Sequence, residues 1–305
     1  MMAWWRSRSP TIKGTWLMIL SVLFFTVLLL LIRITGEAVS VFVMVLVRQV
    51  IMQAIVLAQA GKDARFILRT GNIKLQMLRS AFALGSTLAI FISFVHLPLA
   101  LASAISFSAV LFVTLGAALI LKEEVGPKAW AATIIGLIGV LIMLSPREGG
   151  DLVYVLIAVG GAIVSAGTIL TVRVFHPSES IGTVLTYQGI LVVPVLAIPA
   201  FLTWQPISLT TWGLLIAIGF VSTAGHWTFV AAYRHAEAAR LAPLDFLRLV
   251  LLSIAGFLFF KEQPEPTLAL GMLIVVATTF YTIRSNARVA ARTPEWRRSE
   301  PKWTP

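Results

Sequence analysis

Three charged side chains lie within long apolar stretches of the sequence, and they are the first candidates for chemistry. Arg48 is near the middle of one stretch, and Asp245 and Arg248 are near the start of another. In a membrane such charges are costly and usually functional. A spacing of three places Asp245 and Arg248 on one helical face, where they either form a self-neutralising ion pair or serve a substrate. Arg48 either binds substrate or ties its helix to neighbouring helices.

Arginine chemistry indicates the kind of solute that such a site would hold. The guanidinium fork binds a carboxylate through two parallel hydrogen bonds. Two arginines against one aspartate therefore predict a zwitterionic or carboxylate-bearing solute.

His226 and Trp227 form the next candidate site, directly after Gly225. Histidine has the side-chain pKa closest to neutrality, so His226 either follows proton entry and exit or makes a contact between helices. Ser222 is four residues before His226, which is a spacing that a serine nucleophile and its base could use. No nucleophile motif surrounds this pair, so we expect no enzymatic activity.

Other residues supply hydrogen-bonding groups, aromatic faces or backbone freedom near the same stretches. The polar candidates are Ser86, Tyr187 and Gln188; the candidate stacking residues are Phe24, Phe25 and Phe107; the candidate hinge or packing residues are Gly85, Gly225, Pro194 and Pro243. Small residues permit close helix packing, and prolines can free carbonyl groups that line a cavity. For the aromatic residues, contact with lipid is the alternative.

Composition indicates a polytopic membrane protein. The 305 residues are 58% hydrophobic and 12% charged, whereas a soluble domain carries about 25% charged residues. Ten spans of about 20 residues would use most of the chain and leave no room for a soluble domain. The absence of cysteine excludes thiolate metal sites and disulfides. We expect no metal, no cofactor, no ATP-binding loop and no nucleic-acid partner.

An internal repeat organises the chain. Residues 96–127 and 235–266 match at a constant offset of 139, with His96 on His235 and Lys122 on Lys261. Apolar runs predict helices 1 to 10 at about 15–32, 38–60, 74–95, 99–121, 130–144, 152–174, 181–201, 211–233, 241–260 and 267–284. The Pro- and Gly-containing segment 145–151 separates a first repeat, 1–144, from a second, 152–284, and a basic tail, 285–305, follows.

Basic residues give the expected orientation. With a cytoplasmic N-terminus, 19 Lys and Arg fall on the inner side, and three fall on the outer side, namely Arg33, Arg147 and Lys261. This asymmetry is the positive-inside pattern. Because each repeat has an odd number of helices, the second is inverted, which is a construction typical of secondary transporters. The predicted fold is therefore all-α, with two inverted five-helix repeats and both termini cytoplasmic.

Several motifs resemble the EamA-type repeats of the drug/metabolite transporter superfamily. They are Lys122-Glu123-Glu124 and Lys261-Glu262-Gln263-Pro264 after helices 4 and 9, Ala132 and Gly271 nine positions past each Glu, and RLAPLDFLRL at 240–249. The resemblance covers about 15–284 and is closest to bacterial exporters of amino acids and related metabolites, including aromatic amino acids. It implies a substrate cavity surrounded by helices 1, 3, 4, 6, 8 and 9, with helices 5 and 10 at the periphery.

Together these patterns predict a transporter of the bacterial inner membrane. We expect export of amino acids and related small metabolites by alternating access, and ten helices can close such a pathway in a monomer. The alternative is a proton-coupled exporter of lipophilic cations. That activity requires an acidic side chain in the membrane, for which Asp245 is the candidate.

Overall fold

The structure is a computed structural model of the chain. It describes residues 10–60, 70–120, 122, 127–143, 151–174, 181–235, 238–262, 266, 269–278 and 280–281. Within these ranges the chain is helical and contains no strand. A bilayer offers backbone groups no water, so a spanning segment must satisfy its hydrogen bonds within its own helix. The predicted tail 285–305 lies outside the described residues.

The helices follow the apolar runs closely. They are α1 (Pro10–Thr35), α2 (Val41–Ala60), α3 (Ile73–His96), α4 (Leu99–Phe107), α5 (Ala109–Leu119), α6 (Pro127–Met143), α7 (Asp151–Val174), α8 (Ile181–Leu202), α9 (Leu209–His235), α10 (Ala238–Phe260) and α11 (Ala269–Thr278). In the described part, 7 helical segments are long and apolar enough to span a membrane, and three shorter apolar helices lie in α6, α10 and α11. The count of ten spans and their orientation stay predictions.

Predicted helix 4 is interrupted, which corrects the expectation of one helix over 99–121. α4 ends at Phe107 and α5 begins at Ala109, with Ser108 between them. The Ser108 hydroxyl donates to the carbonyl of Ile105 at 2.6 Å, and the Ser108 N–H donates to the same carbonyl at 3.0 Å. Both bonds connect to the residue three positions back, so the regular ladder of the α-helix is broken here.

The two halves pack against each other through many helix pairs, of which three have the most extensive contact. α1 packs along α9, α3 along α7, and α2 along α8. The contact between α1 and α9 is close at Gly225, where a side chain would meet Phe24 and Phe25 at 3.2–3.3 Å. The main buried cluster contains residues of both halves, such as Met44, Phe94 and Leu215. The core therefore lies between the halves.

The matched ends of α5 and α10 share an unusual backbone conformation. Lys122 has a φ of 52° and Lys261 a φ of 54°, and these are the two non-glycine residues with positive φ in the described part of the chain. The two lysines are 139 positions apart, which is the offset of the internal repeat. The internal repeat of the sequence is therefore also present in the backbone conformation of these two lysines.

Candidate functional site

A cavity of about 160 Å³ lies between the two halves of the protein. Its walls come from α1, α3, α4, α5, α7 and α10. They are made by Leu29, Ile90, Ser93, Phe94, Ser103, Ser106, Ala109, Ala158, Ala162, Ser165 and Arg248. In the predicted numbering, these walls belong to helices 1, 3, 4, 6 and 9.

Four serines give the cavity a polar wall. Ser93 donates its hydroxyl proton to the carbonyl of Ala89 at 2.6 Å, and Ser106 donates to the carbonyl of Ala102 at 2.8 Å. A hydroxyl that donates to its own helix keeps lone pairs for a second partner. The cavity therefore presents acceptors suited to an ammonium group or a hydroxyl of a solute.

Arg248 provides the charge of the cavity. Its guanidinium carbon is 5.8 Å from the ring centre of Phe25 and 5.3 Å from that of Phe107. Aromatic faces attract a cation and hold a planar guanidinium in place. Among the described lining residues, Arg248 is the only charged one. Phe25 and Phe107 therefore pack against the arginine instead of facing lipid.

Asp245 and Pro243 lie in α10, but their side chains are outside the described residues. The predicted ion pair between Asp245 and Arg248 stays a prediction.

Arg48 lies apart from the cavity and joins the two halves. Its side chain is buried, with 5% exposed. Nη1 donates to the Ser222 hydroxyl at 3.0 Å, and Nη2 donates to Oε1 of Gln49 at 3.4 Å. The guanidinium also lies over the ring of Phe91 at 5.6 Å. A contact between α2 and α9 therefore holds the buried Arg48 side chain.

His226 and Phe25 connect the contacts around Arg48 to Arg248 in the cavity wall. Nδ1 of His226 donates to the backbone carbonyl of Ser222 at 2.8 Å. The imidazole meets the ring of Phe25 edge to face, with centroids 5.1 Å apart. Because the Ser222 hydroxyl faces Arg48 and the imidazole faces the carbonyl, the serine and histidine side chains do not form the pair that catalysis would need.

A match to the EamA-like transporter family model covers residues 12–145 and 152–284, which is most of the chain. The chain belongs to the EamA-like transporter family.

Relatives of the family differ in their named solutes. A riboflavin transporter of Vibrio cholerae is 33% identical over 183 residues, which are 60% of this chain and 61% of that protein. A riboflavin transporter of Brucella anthropi is 28% identical, over 74% of this chain and 82% of that protein. A pseudopaline exporter of Pseudomonas aeruginosa is 28% identical, over 71% of this chain and 77% of that protein.

A solved structure shares the fold of this EamA-like chain. It aligns with a TM-score of 0.59 at 19% identity, over 92% of this chain and 99% of that one. Together, the family match and the apolar spans make the protein a multi-pass small-molecule transporter of a bacterial inner membrane.

Arg79 is one of the basic residues predicted at the inner side, and it lies within a spanning helix. Arg79 is in α3, and its Nη1 donates to Oε1 of Gln188 on α8 at 3.3 Å. Gln188 is buried, with 8% exposed. The sequence does indicate that Arg79 is helical, because it follows Ile73 by six residues in an apolar run that has no helix breaker. Arg79 and Arg48 thus make two separate polar contacts between the halves of the transporter.

The remaining predicted residues do not join the cavity. Ser86 donates to the carbonyl of Ala83 at 3.1 Å within its own helix, and Gly85 packs against Val164 of α7. Tyr187 lies on α8 beside Gln188 and is half-buried. None of these residues lines the described cavity wall.

Two further candidates lie on the outside of the bundle. Trp227 is 59% exposed and Pro194 is exposed, so both face away from the packed interior. α8 continues through Pro194 and Pro199 to Leu202. Pro194 is not among the residues of the cavity wall, and its role as a hinge stays a prediction.

Proposed function

We propose that the protein is a secondary transporter that exports amino acids and related small metabolites, with Arg248 binding the anionic group of the solute. One observation carries the proposal. The Arg248 guanidinium, held by two aromatic rings, faces a serine-lined cavity between the two halves of a membrane protein. A carboxylate fits the guanidinium, and the serine lone pairs suit an ammonium group.

The size of the cavity supports a small solute. Its volume of about 160 Å³ is below the range of about 300–1,000 Å³ for sites that hold drug-sized ligands. The ring of Phe94 in the cavity wall favours an aromatic amino acid over an aliphatic one. A larger solute, such as the riboflavin named for two relatives, requires the same cavity to widen.

The proposed mechanism is alternating access by two inverted repeats. Residues 1–144 and 152–284 would be the repeats, with both termini and the tail 285–305 in the cytoplasm. The contacts Arg48–Ser222 and Arg79–Gln188 join one repeat to the other. Rocking of the repeats would change these contacts and expose the cavity to each side in turn.

The charge of the cavity wall disfavours the lipophilic-cation alternative. A cationic solute would meet Arg248 in the same cavity, and like charges repel strongly in a low-dielectric site. That alternative depends on Asp245 as the acidic group.

Transport by the purified protein in liposomes tests the proposal. We expect uptake of labelled phenylalanine or tyrosine to be competed by amino acids and lost in Arg248→Ala. Lys74→Gln removes an exposed positive charge at the start of α3 and should transport normally. Competition by riboflavin alone would change the solute class. Competition by quaternary cations alone, with failure of Asp245→Asn, would establish the cation exporter instead.

A further inference from the structure

The first turn of α4 takes its cap from the other half of the protein. Its N-cap residue is Pro98, which makes no side-chain capping bond. The N–H of Leu99 instead donates to Oε2 of Glu262 at 2.8 Å, across 163 positions of sequence. A helix start carries free N–H groups and a partial positive charge, so a carboxylate is a strong partner there.

Glu262 is held by further contacts, and we call this group the Glu262 latch, made of Arg33, Leu99, Gly256 and Glu262. Oε1 of Glu262 is 3.8 Å from Nη2 of Arg33. The N–H of Glu262 donates to the carbonyl of Gly256 at 3.0 Å. A β-carbon at Gly256 would meet Oε2 of Glu262, so a larger residue there would displace the carboxylate.

Arg33 anchors the latch to the neighbouring helix end. Its Nη1 donates to the carbonyl of Val95 and, at 3.3 Å, to that of Leu97. Its guanidinium lies over the ring of Phe260, 5.7 Å from the centroid. The ends of α1, α3 and α10 and the start of α4 therefore meet at one charged point.

These contacts fix two walls of the cavity relative to each other. α4 carries Ser103 and Ser106, and α10 carries Arg248. α4 has 9 residues and is separated from α5 by the break at Ser108, so it depends on tertiary contacts rather than on its own helical stability. The hydrogen bond from the Leu99 N–H to Glu262 joins the start of α4 to the end of α10.

We propose that Glu262 is a positioning residue of the transport cycle, which holds α4 against α10 and keeps the cavity closed on the outer side. The inference rests on the proposed function and its orientation, in which Arg33 and Lys261 face the outside. When the latch opens, α4 separates from α10, the Leu99 N–H loses its acceptor and the cavity opens outward. The latch joins the two halves, so it must break whenever they separate on that side.

Site-directed labelling tests this proposal without any transported solute. The chain contains no cysteine, so Ser165→Cys would introduce a single thiol into the cavity wall with little change of shape. The reaction of that thiol with a membrane-impermeant reagent, added from the outer or the inner side of oriented vesicles, reports which side is open. In this background Glu262→Ala should raise outer labelling by at least about tenfold, because a hydrogen bond to a charged group is lost.

Two further variants separate the latch from general instability. Gly256→Ala keeps the carboxylate but displaces it, and it should also raise outer labelling. Glu262→Gln keeps an acceptor for the Leu99 N–H and carries no charge, as the protonated carboxyl group does, so its outer labelling should not exceed that of the parent. Glu37→Gln changes an exposed acidic residue on the same side and should label like the parent.

The direction of labelling decides the result. Opening of the latch raises outer labelling and lowers inner labelling, whereas unfolding raises both. The proposal is overturned if Glu262→Ala and Gly256→Ala label like the parent, or if labelling rises equally on both sides. A loss of amino-acid competition together with a normal latch response would instead contradict only the proposed solute.

Discussion

The two copies of the duplicated segment are built differently at the cavity. Ala109 and Arg248 are equivalent at the offset of 139, and both line the cavity. The first copy is interrupted at Ser108 and presents a small neutral residue, whereas the second is one helix, Ala238–Phe260, that presents a guanidinium. Duplication therefore supplied two similar walls, and divergence gave one wall a helix break and the other wall a charge.

The sequence difference explains the structural one. Ser108 has a hydroxyl that bonds to the carbonyl of Ile105, and this bond competes with the regular ladder. Its equivalent, Leu247, has no such group and lies in a helix that continues to Phe260. The ends of both copies nevertheless keep a lysine in the left-handed conformation.

Removal of the charge from the second copy should have the largest effect. Arg248→Ala makes this wall as neutral as the wall at Ala109, and we expect kcat/KM for the transported solute to fall by at least about 30-fold, since a lost desolvated charge contact costs about 2 kcal/mol or more. Arg248→Lys keeps the charge but loses the planar fork, so it should retain part of the activity. Uptake kinetics in liposomes measure both, and equal rates for Arg248→Ala and the parent would contradict the assigned role.

The Glu262 latch predicts a pH effect that is specific to the second copy. Among the described residues, no carboxylate of the first copy makes an equivalent contact. Burial raises the pKa of Glu262 above its ordinary value of 4.5, against the opposing effects of the Leu99 N–H and Arg33. The closed latch therefore holds the proton more tightly than an open state in which the carboxyl group meets water. This stabilisation is complete below pH 4.5 and is lost as the pH rises through the raised pKa.

Outer labelling of the thiol introduced by Ser165→Cys should therefore decrease as the external pH is lowered, and Glu262→Gln should abolish this dependence. Neighbouring charged or titratable groups are Arg33 on α1, Lys261 beside Glu262, and His96 at the end of α3, stacked on Tyr154. Rates are normalised to Gln205→Cys, an exposed position that corrects for the pH dependence of the reagent. An unchanged pH profile in Glu262→Gln would assign the effect to another group.

Helix positions followed from the sequence because the membrane imposes one strong rule, that apolar runs of sufficient length form helices. The charges were harder to assign. Arg48 and Arg248 were found from their isolation in apolar runs, but only the packing shows that Ser222 meets one and Phe25 the other. Arg79 was missed because a charge near a helix end resembles a loop charge. Glu262 was recognised as part of a motif, but its contact with Leu99 spans 163 positions and has no local signal.

Ser108→Ala should make the first copy more like the second, with a smaller effect. The substitution removes one side-chain hydrogen bond, worth about 1 kcal/mol, and should favour a continuous helix over residues 99–119. We expect solute uptake to fall by about two- to fivefold, with little change in thermal stability. Ser253→Ala is the matched control, because its hydroxyl bonds to the carbonyl of Leu249 at 2.8 Å within the continuous helix. An equal decrease in both variants would show that the break itself is unimportant.

The smallest expected effect tests the feature that both copies share. Lys122 and Lys261 have φ values of 52° and 54°, a conformation that costs a side-chain-bearing residue about 1–2 kcal/mol. Lys122→Gly and Lys261→Gly should each raise the free energy of unfolding by about 0.5 kcal/mol, since the greater freedom of glycine in the unfolded chain offsets part of the gain. Lys74→Gly, in the first turn of α3, should lower it, because glycine disfavours a helix. Denaturation in detergent measures all three variants. Equal gains would show that the two ends remain equivalent, whereas a gain at Lys122 alone would mean that the end next to Glu262 needs a stiffer backbone to hold its carboxylate in place.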